Sequence, residues 1–341
     1  NITVGSIDTA IGVDDDTNTI IDPDGNGGRI ELRARNDINV LGSFTDTGGN
    51  LRSLASFVSI GGNGQGGDIV VRSESGSVRI TSATVSANSN NNTNRGGNVS
   101  ITARDSVETQ GILSLSPGAP VTGNITVTSN EIDFSGNVAT NGEVRLRPRD
   151  SGRNITIGGT NSNNLNLDLN DFDNLIAEDV VIGLPSDTGT VTLADIPDGP
   201  TSLVVDGGSE LIGPTVDANW NISGNNSGNV SEGVLFGDDL DFNNIERIAG
   251  GSQDDTFEFS AGVDPNGPGV LEISDELGDN TVDLRNSLDP VTADLEGLRI
   301  RNGEVLGPVV GPNTLTGISD LLNEWEITGT NSGSVTNADG T

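Results

Sequence analysis

The sequence predicts an all-β protein, a parallel β-helix in which short strands stack one repeat upon the next. A run of β-sandwich repeats is the competing arrangement. Three observations point there. A Gly- or Asn-led turn followed by a strictly alternating strand recurs through the first half of the 341 residues. The apolar alphabet is thin, with 32% hydrophobic residues and only 3% aromatic, which suits a narrow core of small aliphatics. No amphipathic helix of useful length is visible, and Ser319–Glu326 has the pattern for a turn or two at most. Counting the 48 Gly brings the apolar share to roughly 46%, inside the globular range, so this is not the composition of an acidic coil.

The repeating unit first appears as Gly27-Gly28-Arg29-Ile30-Glu31-Leu32-Arg33-Ala34 and again as Gly66-Gly67-Asp68-Ile69-Val70-Val71. It returns as Gly96-Gly97-Asn98-Val99-Ser100-Ile101-Thr102-Ala103 and as Gly123-Asn124-Ile125-Thr126-Val127. Further copies open at Gly142-Glu143-Val144 and at Gly152-Arg153-Asn154-Ile155-Thr156-Ile157. In each, apolar residues fall two apart, which buries one face and leaves Ser, Thr, Arg or Glu on the other. A second strand often follows, as in Asp37-Ile38-Asn39-Val40, Ser77-Val78-Arg79-Ile80 and Glu131-Ile132-Asp133-Phe134. Repeats of roughly 20–25 residues at ~4.8 Å per layer would make a rod on the order of 70 Å.

A different repeat marks the C-terminal part. Trp220-Asn221-Ile222-Ser223-Gly224-Asn225-Asn226-Ser227-Gly228-Asn229-Val230 matches Trp325 to Val335 at seven of eleven positions, with an offset of 105. These are the only two Trp, and each reads as a core plug. The division expected from these patterns is Gly-rich β-helix over 1–157, continuing β-helix over 158–213, and an acidic Trp-containing region over 214–341 whose second repeat is cut short.

Charge excludes several function classes. There are 50 acidic and 16 basic residues, all of the latter Arg, for a net charge of −34. Up to Arg153 there are 17 acids against 12 Arg; from Asn154 on there are 33 against 4. Such a balance argues against nucleic acid as a partner. No run of apolar residues is long enough to span a membrane. Without His, Cys or Lys there is no Ser-His-Asp triad, Cys-His pair, usual zinc site or Walker A lysine.

Oxygen ligands remain, so Ca2+ is the one cofactor to consider. Asp22, Asp24 and Asn26 place oxygens at alternate positions beside Gly25 and Gly27, with Asp14, Asp15 and Asp16 near in sequence. Position twelve of that loop is Arg33, which excludes an EF-hand. Gly250-Gly251-Ser252-Gln253-Asp254-Asp255-Thr256-Phe257 is similar to the calcium-binding nonapeptide of repeat-in-toxin proteins, with Gln253 in place of a Gly and no tandem copy. Asp254 and Asp255 are its candidate ligands. Each of the two turns reads first as an acidic turn without metal, with calcium the alternative. Asp238–Asp239 and Asp254–Asp255 are paired carboxylates, but neighbours on a strand face opposite ways, so neither pair is preset for acid–base catalysis. No catalytic residue is assigned. The Asn-x-Ser/Thr triplets at Asn98, Asn124 and Asn154 coincide with strand starts, where turn and strand preferences explain them.

Taken with Asn1-Ile2-Thr3-Val4-Gly5-Ser6-Ile7, Leu167 to Leu175 and Val181-Ile182-Gly183, the Gly-Gly-x-Ile-x-Leu strands resemble filamentous-haemagglutinin-type large exoproteins, including the cyanobacterial forms. The Trp220 unit with Asn244 to Gly251 resembles a repeat toward the C-terminal side of such proteins. The resemblance implies a right-handed parallel β-helix exported through a partner porin and displayed outside the cell as a fibre or adhesin. The expected function is therefore an extracellular structural or adhesive surface protein, not an enzyme. Its expected partners are further copies or a continuation of the same chain, stacked head to tail, and cell-surface glycans or matrix. A self-assembling filament subunit, a calcium-dependent surface module and, last, a polysaccharide-cleaving β-helix are the alternatives.

Overall fold

The computed structural model describes residues 2–4, 7–8, 30–40, 57–58, 66–81, 84–88, 96–115, 123–161, 163–197, 200, 202–232, 239–263, 272–275, 277–278, 280–286, 292–294, 298–300, 304–306, 314–316, 323–329 and 332–337. The chain divides into two units. The first comprises Asn1–Leu184 with Pro197–Val204, and the second Pro185–Ile196 with Val205–Thr341.

Within the first unit the strands fall into three sheets, and successive strands pass from one sheet to the next in a fixed order. One sheet pairs Ile30–Ala34, Ile69–Ser73, Val99–Thr102, Ile125–Thr128, Glu143–Arg147 and Asp179–Ile182, all parallel. A second pairs Ile2–Val4, Ile38–Val40, Val78–Ile80, Val107–Thr109 and Ile132–Phe134. The third takes Ile7–Asp8, Phe57–Val58, Val85–Ser86, Ile112–Ser114, Val138–Thr140 and Leu175–Ile176. The chain is thus nearly all β with long parallel sheets, as the alternating pattern predicts.

Register explains why small aliphatics suffice. Ile69, Val99, Ile125, Val144 and Val180 stack in one column, and Val71, Ile101, Val127, Leu146 and Ile182 in the next; all are buried. Each aliphatic meets another of similar size one layer away, so no large ring is needed to fill the space. The Gly-Gly turns follow from the same stacking. A Cβ on Gly97 would lie 2.2 Å from the Gly67 carbonyl oxygen, and one on Gly123 2.0 Å from that of Gly97.

Hydroxyls tie the end of a repeat to its start. Ser114 Oγ donates to the Gly97 carbonyl at 2.7 Å, and Thr140 Oγ1 to that of Gly123 at 2.6 Å; both side chains are buried. The two bonds span the same 17 residues, which identifies one repeated corner rather than a chance contact.

The last repeat of this unit departs from the pattern. Ile155–Ile157 looks in sequence like another copy of the Gly-led strand, yet it does not join the first sheet. It pairs with Leu165–Leu167, and Asp179–Ile182 takes the place beside Glu143–Arg147. Between them lies Leu169–Asp173, the only α-helix among the described residues and one the sequence reading missed. It begins with a capping box: Asp168 Oδ1 accepts from Asp171 N at 3.1 Å, and Asp171 Oδ2 accepts from Asp168 N at 3.0 Å.

In the second unit one sheet runs in the order Asp239–Ile245, Ser227–Glu232, Ala218–Gly224, Thr256–Phe259, Thr281–Asp283, Glu304–Leu306. Its first three strands form an antiparallel meander and the rest add in parallel. A parallel sheet orders Thr190–Leu193, Glu210–Ile212, Arg247–Ala249, Glu272–Asp275 and Leu298–Ile300. Trp220 is buried, stacked on Phe257 and tilted against Phe242, each with ring centroids 6.0 Å away. The indole lies where a Cβ on Gly213 would sit, 2.7 Å from the ring.

The 105-residue sequence repeat is also a repeat of structure. Trp220 faces Val230 across a hairpin with a register shift at Ile222/Gly224, and Trp325 faces Val335 across a hairpin with the same shift at Ile327/Gly329. The second hairpin corrects the described part of the helical expectation over Ser319–Glu326: Asn323–Gly329 is strand, and 319–322 lie outside the described residues. Antiparallel pairing with Ser332–Asn337 outweighs the weak local helical pattern.

Candidate functional site

The calcium-like turn of the second unit is where sequence and geometry can be compared directly. Ala218, Asp255 and Asn280 each stand one residue before Asn219, Thr256 and Thr281, which are neighbours in register. Asp255 Oδ1 accepts from Ala218 N at 2.8 Å, and Asn280 Oδ1 accepts from Asp255 N at 2.8 Å. The two side chains form a ladder that satisfies the first amide of the neighbouring strand, and both are buried. Asp254, next in the chain, is exposed, and its N–H donates to Asp217 Oδ1 at 3.3 Å. The two carboxylates therefore point apart.

Glycines of the turn complete the packing. A Cβ on Gly251 would meet the Pro214 carbonyl oxygen at 2.0 Å, and one on Gly278 that of Gln253 at 1.9 Å. These carbonyls abut the glycine of the next layer. Asp22, Asp24 and Asn26 of the other candidate turn lie outside the described residues, as do Asp14, Asp15 and Asp16. Among the described residues no group of three or more acidic side chains is gathered to hold a metal ion.

The same ladder logic operates in the first unit, on a more exposed edge. Asp68, Asn98, Asn124 and Glu143 stand just before the in-register residues Ile69, Val99, Ile125 and Val144. Asn98 N donates to Asp68 Oδ1 at 2.8 Å, Asn124 N to Asn98 Oδ1 at 3.0 Å, and Glu143 N to Asn124 Oδ1 at 3.2 Å. A turn-forming Asn with a strand-forming residue behind it is thus also a backbone acceptor for the next layer. This gives the Asn-x-Ser/Thr triplets at Asn98 and Asn124 a structural cause.

Sequence reasoning missed Asp171. Its side chain is 5% exposed; Oδ1 accepts from Phe134 N at 2.9 Å, while Asn174 Nδ2 donates to the Phe134 carbonyl at 2.7 Å. Ile132–Phe134 is the last strand of its sheet, and these two side chains replace the next strand's hydrogen bonds. Burial pushes the Asp171 carboxyl up to about 7, with Asp168 and Asp133 adding to the rise and the two backbone donors opposing it. The signal available in sequence was Asp168-x-x-Asp171, a capping box with Asp at both ends. With both oxygens held by backbone amides, this carboxyl is a structural clasp that exchanges a proton near neutrality.

A shallow polar cleft of about 380 Å³ opens beside Ile155–Ile157, lined by Asp150, Gly152, Arg153, Asn154, Asn163 and Asn164. Arg153 Nη2 donates to the Asn164 carbonyl at 3.2 Å, while its buried Nε makes no hydrogen bond. The arginine's main work here is to hold the turn leading into Leu165–Leu167. Comparison with protein-family models, curated proteins and solved structures finds no match to this chain. No described helix is long and apolar enough to cross a membrane.

Proposed function

We propose that this chain is a β-helical solenoid that serves as an extracellular structural or adhesive surface protein, displayed as a rod or filament. The observation that carries the reading is the fixed three-sheet order of the first unit, with aliphatic columns in register and Ser114 and Thr140 tying each repeat to its own start. Side chains that often do chemistry are spent on backbone here: Asp255, Asn280, Asn98, Asn124 and Asp171 all accept from amides in, or one residue before, a strand. That investment supports a mechanical role, because each layer both rests on and completes its neighbour.

Head-to-tail assembly, by more of the same chain or by further copies, is the natural extension, since stacked parallel strands leave amides at a terminal layer that another layer satisfies. The recurrence of one hairpin at an offset of 105 favours an array of such units. The test is X-ray diffraction from oriented material together with electron microscopy of negatively stained chain. The expected result is a meridional reflection near ~4.8 Å along elongated particles. Compact particles with no axial strand repeat would overturn the solenoid. Cell-surface labelling with an antibody to the chain checks the location, and exclusively intracellular label would overturn the surface role.

A further inference from the structure

The first sheet of the first unit carries a stripe of arginine that the surface role does not explain. Arg33, Arg72, Thr102, Thr128 and Arg147 are neighbours in register on its outward face. Two residues further on, in the bends just past the strand ends, stand Arg35, Glu74, Arg104, Asn130 and Arg149. These ten positions hold six arginines and one acid, in a chain whose net charge is −34. Arg33 pairs with Glu31, and Arg147 Nε donates to Thr128 Oγ1 at 2.9 Å. Among the described residues Arg35, Arg72, Arg104 and Arg149 have no carboxylate within ion-pair distance, although Asp105 and Asp150 follow Arg104 and Arg149 round the turn. Arg35, Arg104 and Arg149 are exposed and Arg72 half-buried.

The second unit offers the opposite face. Across its larger sheet Asp241, Asn229, Asn221, Glu258 and Asp283 are neighbours in register, flanked by Asp239, Ser231, Asn219, Thr256 and Thr281. Neither row contains an arginine. Asp239, Asp241 and Glu258 are exposed, and Asp283 is paired with Arg285. Asp241 is pushed up from the usual carboxylate range by partial burial and by the like charge of Asp239.

The row from Arg33 to Arg147 and the acidic rows run across strands, so they repeat at the same inter-strand spacing of ~4.8 Å, and the bends that carry Arg35, Arg104 and Arg149 follow those same strands. Two rows of equal pitch and opposite sign can meet at two layers at once, through the strand of Asp239 and Asp241 and the strand of Glu258, which a globular partner of unrelated spacing cannot do. We infer that the arginine stripe docks the acidic sheet face of a second copy of this chain, joining copies side by side. This lateral contact is separate from head-to-tail stacking and rests on the two charge rows, not on the surface role. A short-range match suits ordinary salt, where a Debye length of about 8 Å screens the overall repulsion between copies but not pairs in contact.

The experiment is sedimentation of the full chain over a concentration series, with two charge-reversed variants: Arg72→Glu/Arg104→Glu/Arg149→Glu and Asp239→Arg/Asp241→Arg/Glu258→Arg. Far-UV circular dichroism checks that each folds. At ~0.15 M salt the wild-type average mass should climb to at least twice the monomer value, and at ~1 M salt it should fall back. Each variant alone should lose the association, and an equimolar mixture of the two should recover it, since one then supplies the arginine stripe and the other the acidic face. A wild-type chain that stays monomeric at ~0.15 M overturns the inference. So does association that survives both reversals, which would place the contact at the end layers instead. If a reversed variant fails to fold, the single changes Arg104→Glu and Glu258→Arg replace it, with the same mixing test.

Discussion

Asp255 and Asp171 show how one side chain can stand in for a whole strand's worth of chemistry. Asp255 gives Oδ1 to Ala218 N at 2.8 Å from a buried position. Replacing it by Ala leaves that amide without a partner, and the expected cost is about 1–3 kcal/mol in urea unfolding of the second unit. Asp255→Asn, which keeps an acceptor oxygen, should cost less. The measurement is made in calcium and in excess chelator: a capping role gives the same loss in both, whereas a ligand role gives a loss only in calcium. Asp171 makes a pH prediction. Its folded value, about 7, lies above the ordinary 3.8, so the native state binds a proton that the unfolded chain has released. Its contribution to stability is fully present below about pH 4 and is lost as pH rises through about 7. Urea midpoints of the first unit should therefore fall across that window, and Asp171→Asn should flatten the slope. A wild-type midpoint that rises from pH 5 to 8 would contradict the assignment.

Strand and turn are coupled most tightly at the glycine corners. Gly123→Ala places a Cβ 2.0 Å from the Gly97 carbonyl oxygen, backbone against backbone, so a layer must shift to admit it. The expected loss is about 1–3 kcal/mol. Gly262 is the control: its φ of +88° strains any L side chain, but a Cβ there would meet nothing within 4 Å. Gly262→Ala should cost only the local backbone term, about 1–2 kcal/mol, and Gly262→Asn less. Thermal melts of the four proteins check the order. The Trp220 hairpin is stabilised differently, by rings: the indole sits between Phe257 and Phe242 with no exposed edge. Trp220→Ala should cost about 3–5 kcal/mol, because no aliphatic column stands ready to fill the space.

For the molecule as a whole, the uneven charge should govern how it responds to salt. Beyond Arg153 only four arginines face 33 acids. Self-repulsion of that excess opposes folding, and salt screens it. Both Trp, Trp220 and Trp325, belong to the second unit, so tryptophan fluorescence reports that unit alone. Raising NaCl from ~0.05 M to ~1 M should lift the fluorescence-detected melting point more than the transition that far-UV circular dichroism assigns to the first unit. Equal shifts would mean that the acids of the second unit are already compensated within the fold.

Much of this was written in the residues. Alternation at Ile69-Val70-Val71 or Ile125-Thr126-Val127 specifies strand, because period two leaves one face apolar whatever lies beside it. The 105-residue offset likewise specified two like segments, while that each is a hairpin came from the structure. Which strand lies beside which was decided only in three dimensions. Ile155-Thr156-Ile157 reads like Ile125-Thr126-Val127, yet joins Leu165–Leu167 in another sheet, because alternation fixes which face is buried but not which neighbour buries it. The calcium-like Asp255 and the rise in the Asp171 carboxyl belong to the same class. A carboxylate's partners are set by the layer above or below it, some 37 residues away in both cases, and no local pattern encodes that distance.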